Sequence, residues 1–139
     1  MVPSTQNQTG ATGSAPTLLV VEDEPLIRMD LADCLRIEGF TVVEASGPQE
    51  ARQVLSSGVS IACVLTDLHM PHRDDGLGLL RWLAAERPEL PVFIASGVPD
   101  SLTLARQEND AIVAAFDKPY HADMIAAEVR AMLARKTHA

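Results

Sequence analysis

Positive charge is in short supply in this sequence relative to negative charge. Its 139 residues carry 11 Lys and Arg against 19 Asp and Glu, a formal net charge of −8. Nucleic acid and anionic membranes both select basic surface, so this balance disfavours either as a partner. Cysteine is scarce as well: Cys34 and Cys63 lie far apart and form no CxxC. That argues against a disulfide framework or a thiolate metal site, and for reduced, buried thiols in a cytoplasmic protein. No apolar run approaches the roughly 20 residues that a spanning helix requires. Residues 1–15 lack the basic start and apolar centre of a signal peptide; polar and almost uncharged, they read as a disordered tail.

What is present is the composition of one globular domain, 47% hydrophobic and 22% charged. Its organising stretch is Ile61-Ala62-Cys63-Val64-Leu65-Thr66, an uncharged run that ends in Asp67. A short apolar run without alternation reads as a strand covered on both faces, the usual state of a central strand in a parallel sheet. Leu18–Val21, Phe40–Val43, Pro91–Ala95 and Ile112–Phe116 are further strand candidates.

Helical periodicity fills the intervals. Pro25 suits a first turn, and Ile27, Leu31, Cys34 and Leu35 share one face before Gly39. Helices are likewise predicted from about Pro48 to Ser57, Gly76 to Glu86, Pro99 to Glu108 and Ala122 to Arg135. The helix from about Pro99 to Glu108 has the weakest stripe, Leu102, Leu104 and Ala105. Strands alternating with helices at this rhythm predict parallel βαβ units, a five-stranded α/β sandwich.

Four strands end in residues that suit a single chemistry, namely Glu22 and Asp23, then Asp67, then Ser96, then Lys118. In a doubly wound sheet such ends converge where the winding direction reverses. Three carboxylates brought together repel unless a cation joins them, and Mg²⁺ takes carboxylates together with waters and a substrate phosphate. A carboxylate can also act as nucleophile toward phosphorus. A plain structural alternative exists for each member: the acidic triplet as favourable charge at a helix N-terminus, Ser96 as a cap, Lys118 as a surface lysine. The joint pattern, each member directly after a buried strand, favours the chemical reading.

The motifs Val21-Glu22-Asp23-Glu24-Pro25, Leu65-Thr66-Asp67-Leu68-His69-Met70-Pro71, Ile94-Ala95-Ser96-Gly97 and Asp117-Lys118-Pro119 resemble the receiver domain of two-component response regulators. The likeness implies a doubly wound, flavodoxin-like (βα)5 fold with strand order 2-1-3-4-5, spanning residues 16–136, with 137–139 as the C-terminal end. It implies that Asp67 is the phosphoacceptor, and that Ser96 and Lys118 bind phosphoryl oxygens. Mg²⁺ would be held by Asp23 and Asp67, by Glu22 through water, and by the backbone carbonyl of His69. The implied donor is a sensor histidine kinase or a histidine phosphotransfer protein, with a further protein as downstream target. No turnover substrate is expected. Family members often self-associate through their fourth and fifth helices, so a homodimer is among the expectations.

Three features depart from the pattern. The aromatic residue usual three positions before the lysine is Ala115, and Phe116 falls on the opposite-facing position. The loop Met70-Pro71-His72-Arg73-Asp74-Asp75-Gly76 is one residue longer than is common. Finally, the chain stops soon after the last helix, so output is expected from a separate molecule. His69 and His72 near three acids raise zinc, but the acid set suits Mg²⁺ better. Rival functions are a receiver-fold binding module that takes no phosphate, and an aspartyl-phosphate phosphohydrolase. The latter wants a second acid two residues after the nucleophile, where His69 stands.

Overall fold

The structure is a computed structural model that describes residues 15–68, 73–97, 100–118 and 121–137; side chains of 73–75 and 137 are outside the description. The expected tail therefore lies outside it, apart from Ala15, and so do His69 and most of the loop that follows.

Five strands, β1 (Thr17–Val21), β2 (Thr41–Ala45), β3 (Cys63–Asp67), β4 (Val92–Ser96) and β5 (Ile112–Asp117), alternate with five helices. These are α1 (Pro25–Ile37), α2 (Pro48–Ser56), α3 (Arg73–Glu86), α4 (Ser101–Glu108) and α5 (Ala122–Thr137). The strands pair in parallel in the order β2-β1-β3-β4-β5, the order that the resemblance implies. The chain winds one way from β1 to β2 and the other way from β3 onward, which opens a crevice at the carboxyl ends of β1 and β3.

Alternation along the strands divides the core in two. Leu19, Val21, Val64, Val92 and Ile94 face α2, α3 and α4, meeting Leu55, Leu79, Leu80, Leu83 and Ala105. Leu18, Val20, Cys63, Leu65 and Phe93 face α1 and α5, meeting Leu31, Leu35, Ile125 and Val129. β3 and β4 are buried along their whole length, the cause of their unbroken apolar spelling.

Several boundaries differ from those expected. β2 runs Thr41–Ala45, not Phe40–Val43, because the Phe40 N–H donates to the Leu35 carbonyl and closes α1 instead of joining the ladder. α3 begins at Arg73, three residues before Gly76, so the charged end of the loop forms its first turn. β3 begins at Cys63; Ile61 is buried ahead of it. Ile27, expected on the inner face of α1, is 43% exposed and lines an open groove with Leu26 and His121.

Gly76 is required where it stands. A Cβ there would strike the Leu68 carbonyl, 3.0 Å from its carbon. This close approach fits α3 against the end of β3, immediately beside Asp67.

Candidate functional site

Each member of the predicted set is placed by a strand end. β1 closes with Val21, and the Glu22 N–H donates to the Ala45 carbonyl, extending the ladder by one residue. Arg28, from the first turns of α1, holds this turn: its guanidinium donates to the Glu22 carbonyl at 2.9 Å and to Glu44 Oε1 at 3.3 Å. The sequence carries no signal for Arg28, which reads there as an ordinary polar-face residue.

Carboxylate oxygens of Glu22, Asp23 and Asp67 lie within 4.8 Å of one another. Glu22 and Asp67 are buried and Asp23 is half-buried. Lys118 reaches across from the end of β5, its Nζ donating to Asp67 Oδ2 at 2.9 Å and standing 3.7 Å from Glu22 Oε1. The Lys118 N–H donates to the Ser96 carbonyl, which fixes the lysine's backbone beside the end of β4. Ser96 follows Ala95, the register partner of Asp67, and its hydroxyl is 2.6 Å from that of Ser101. The structure thus brings Glu22, Asp23, Asp67 and Lys118 into one cluster and sets Ser96 on the adjoining strand end; His69 lies outside the described residues.

The electrostatics are those of a crowded anionic hollow. Burial pushes the Glu22 carboxyl up to about 7, with the Asp67 charge and a hydrogen bond to Asp23 adding to it. The Glu24 N–H and the Lys118 charge oppose that rise. Burial by itself would lower Lys118, but its hydrogen bond to Asp67 and the charges of Asp67 and Glu22 outweigh it and hold the ammonium above its usual range.

A divalent cation suits this donor set. Glu22 Oε1 is buried without a hydrogen-bond partner among the described residues, beside two further carboxylates. Hard oxygen donors in a hollow with one lysine leave charge that a second cation would balance.

The aromatic question resolves as sequence alternation implies. Ala115 packs on the α2–α4 side, whereas Phe116 turns to the other face and stacks on Phe93, ring centroids 5.9 Å apart. A one-residue register shift between β4 and β5 sets this phase. Neither cysteine joins the site: Cys34 and Cys63 are free, and burial pushes the Cys63 thiol up to about 12, which keeps it inert.

A parallel doubly wound sheet with an acid trio and a lysine at its switch point is a flavodoxin-like α/β fold carrying an anionic site. The family model for the response regulator receiver domain matches residues 18–130, and the chain belongs to that family. It is 32% identical over 132 residues to the sensor kinase CckA of Brucella abortus, covering 94% of this chain and 14% of that protein. Across the first curated relatives the chain spans 14% to 54% of their lengths. Among solved structures, a response regulator receiver domain protein from Clostridium thermocellum superposes with a TM-score of 0.77 at 27% identity, covering 88% of this chain and 97% of that one. The response regulator TrrA of Thermotoga maritima, in complex with Mg²⁺ and BeF, shares the fold with a TM-score of 0.71 at 24% identity, covering 84% of this chain and 97% of that one. Domains of this family are phosphoacceptors and have no turnover substrate. Among the described residues, no helix is long and apolar enough to cross a membrane.

Proposed function

We propose that this chain accepts a phosphoryl group on Asp67 from a phosphohistidine, carried by a sensor histidine kinase or a histidine phosphotransfer protein. The observation that carries the reading is Lys118 Nζ at 2.9 Å from Asp67 Oδ2, within an acid trio whose charge one lysine does not balance. An Asp67 carboxylate oxygen attacks phosphorus, the new O–P bond forms as the P–N bond breaks, and the imidazole leaves with the electron pair. Lys118 offers its ammonium to the phosphoryl oxygens as their charge redistributes, and the Ser96 hydroxyl donates to another. Asp23 and Asp67 would hold Mg²⁺ directly and Glu22 through water, with the carbonyl of His69 as the remaining ligand. When bound, Mg²⁺ supplies positive charge that screens the acids and the transferring group.

Beside the acids a groove of about 800 Å³ runs between α1 and the start of α5, lined by Leu26, Ile27, Leu31, Lys118 and His121. Leu26, Met29 and Met124 are 78%, 51% and 59% exposed. Apolar side chains at the rim of an acidic hollow suit a donor protein that docks by hydrophobic contact and delivers its histidine to Asp67. Signalling then follows from altered charge at the site, which biases a two-state surface read by a protein partner.

Beryllofluoride, which stands in for a phosphoryl group on a carboxylate, tests the reading. Binding that requires Mg²⁺, quenches or shifts the fluorescence of the single tryptophan, Trp82, and disappears in Asp67→Asn is expected. Undiminished binding by Asp67→Asn would sink the acceptor role, and no binding by the wild type would leave a receiver-fold binding module.

A further inference from the structure

The turn that carries the acids is held at three points. The Glu22 N–H donates to the Ala45 carbonyl at 3.1 Å, and the Glu24 N–H donates to Glu22 Oε2, also at 3.1 Å. The Glu22 carbonyl accepts from Arg28 Nη1 at 2.9 Å. That carbonyl lies in the rigid peptide plane joining Glu22 to Asp23, so holding it limits the direction in which the Asp23 side chain leaves the backbone.

Arg28 is itself aimed. Its side chain is only 17% exposed, and its Nε donates to Glu44 Oε1 at 3.3 Å. Arg36 takes the other oxygen of Glu44 at 3.3 Å, so that carboxylate is gripped from both sides. The remaining contacts of Arg36 among the described residues are the Val42 carbonyl and Asp33, away from the acid turn. The helix adds no cap of its own: Glu24 stands at the N-terminus of α1, and its side chain makes no capping bond.

We propose that Arg28 is a positioning residue for the divalent cation, setting the Asp23 carboxylate against that of Asp67 through its grip on the Glu22 carbonyl. The inference rests on the reading of the acid trio as a Mg²⁺ site and extends it to a residue that ligates nothing. Charge and geometry pull in opposite directions here. A guanidinium near a cation site repels the ion, so by Coulomb's law alone its removal tightens binding. Losing an outer partner that orients the ligands weakens binding, commonly by roughly 10–100-fold. Glu44 offsets the charge of Arg28, whereas nothing else among the described residues holds the Glu22 carbonyl, so the orienting effect dominates. The direction of the change therefore separates the two roles.

Calorimetric titration of the full chain with Mg²⁺, at fixed ionic strength and without any phosphoryl donor, tests this. Arg28→Ala is expected to raise the dissociation constant about tenfold. Arg36→Ala removes one grip on Glu44 but leaves the Glu22 carbonyl bonded, and is expected to change the constant by less than about threefold. Circular dichroism in chelator shows whether each variant is folded. Arg28→Met, which keeps the aliphatic stem, gives the same readout should Ala lower the folded fraction. Tighter or unchanged binding by a folded Arg28 variant, or an equal loss in Arg36→Ala, overturns the positioning role while the cation site stands. Asp23→Asn locates the ion: binding that survives it, or a wild type that binds no Mg²⁺, overturns the site together with the inference.

Discussion

Glu22 is the residue in which fold and chemistry conflict most openly. Its carboxyl ionises near 4.5 in the unfolded chain and near 7 in the folded, cation-free site, chiefly because it is buried. The folded state therefore holds the extra proton between those values. Stability from the neutral carboxyl is present in full below about 4.5 and is lost as pH rises toward 7. At about 1.4 kcal/mol per pKa unit, the loss is on the order of 3 kcal/mol. Glu22→Gln, neutral throughout, is expected in chelator to match the wild type near the acid end and to exceed it by up to about 3 kcal/mol at about pH 8. Urea midpoints across that range check this; a difference that does not vary with pH contradicts it. Lys118 carries the opposite burden. Lys118→Met leaves the Asp67 carboxylate buried beside two other acids, and about 2 kcal/mol of stability should vanish at neutral pH in chelator, below the full cost of breaking a buried pair because the lysine is partly exposed. Denaturation with guanidinium measures it, and an unchanged midpoint would show that the pair contributes nothing.

At the scale of elements, α3 carries a built-in comparison. Gly76 abuts the Leu68 carbonyl, whereas a Cβ at Gly78, on the same helix, meets nothing within 4 Å. Gly76→Ala must push α3 off the end of β3 and should destabilise by about 1–3 kcal/mol. Gly78→Ala should stabilise by up to about 1 kcal/mol through helix propensity alone. Thermal melts of the two variants give the pair of signs, and equal signs would contradict the close-approach account. The same helix shows what the sequence conceals. Arg73-Asp74-Asp75 has no apolar periodicity, so the first turn of α3 reads as loop. Phe40 spells like the start of a strand, but its N–H completes α1. Ile27 satisfies the helical stripe and yet is partly exposed in a groove, a matter of helix placement that periodicity does not encode.

Over the whole molecule, the architecture was legible because its two strongest signals agree. Unbroken apolar runs mark strands covered on both faces, and their alternation with helices leaves few topologies once crossovers are right-handed. The site was legible for the same reason: each polar residue that ends such a run lies at one edge of the sheet. What sequence could not display are contacts between residues without periodic or motif spelling. Arg28 on the Glu22 carbonyl and Ser101 on Ser96 are both of this kind, set by side-chain reach after the backbone is in place. The net charge of −8 also fits a domain whose central feature is a hollow of carboxylates needing cations.

The central claim is that Asp67 takes the phosphoryl group. Incubation with acetyl phosphate, followed by borohydride reduction of any acyl phosphate and peptide mass mapping, reads it directly. The account predicts a single reduced site at Asp67, formed with Mg²⁺ and lost in chelator. Reduction at another residue, or none with Mg²⁺ present, would contradict it.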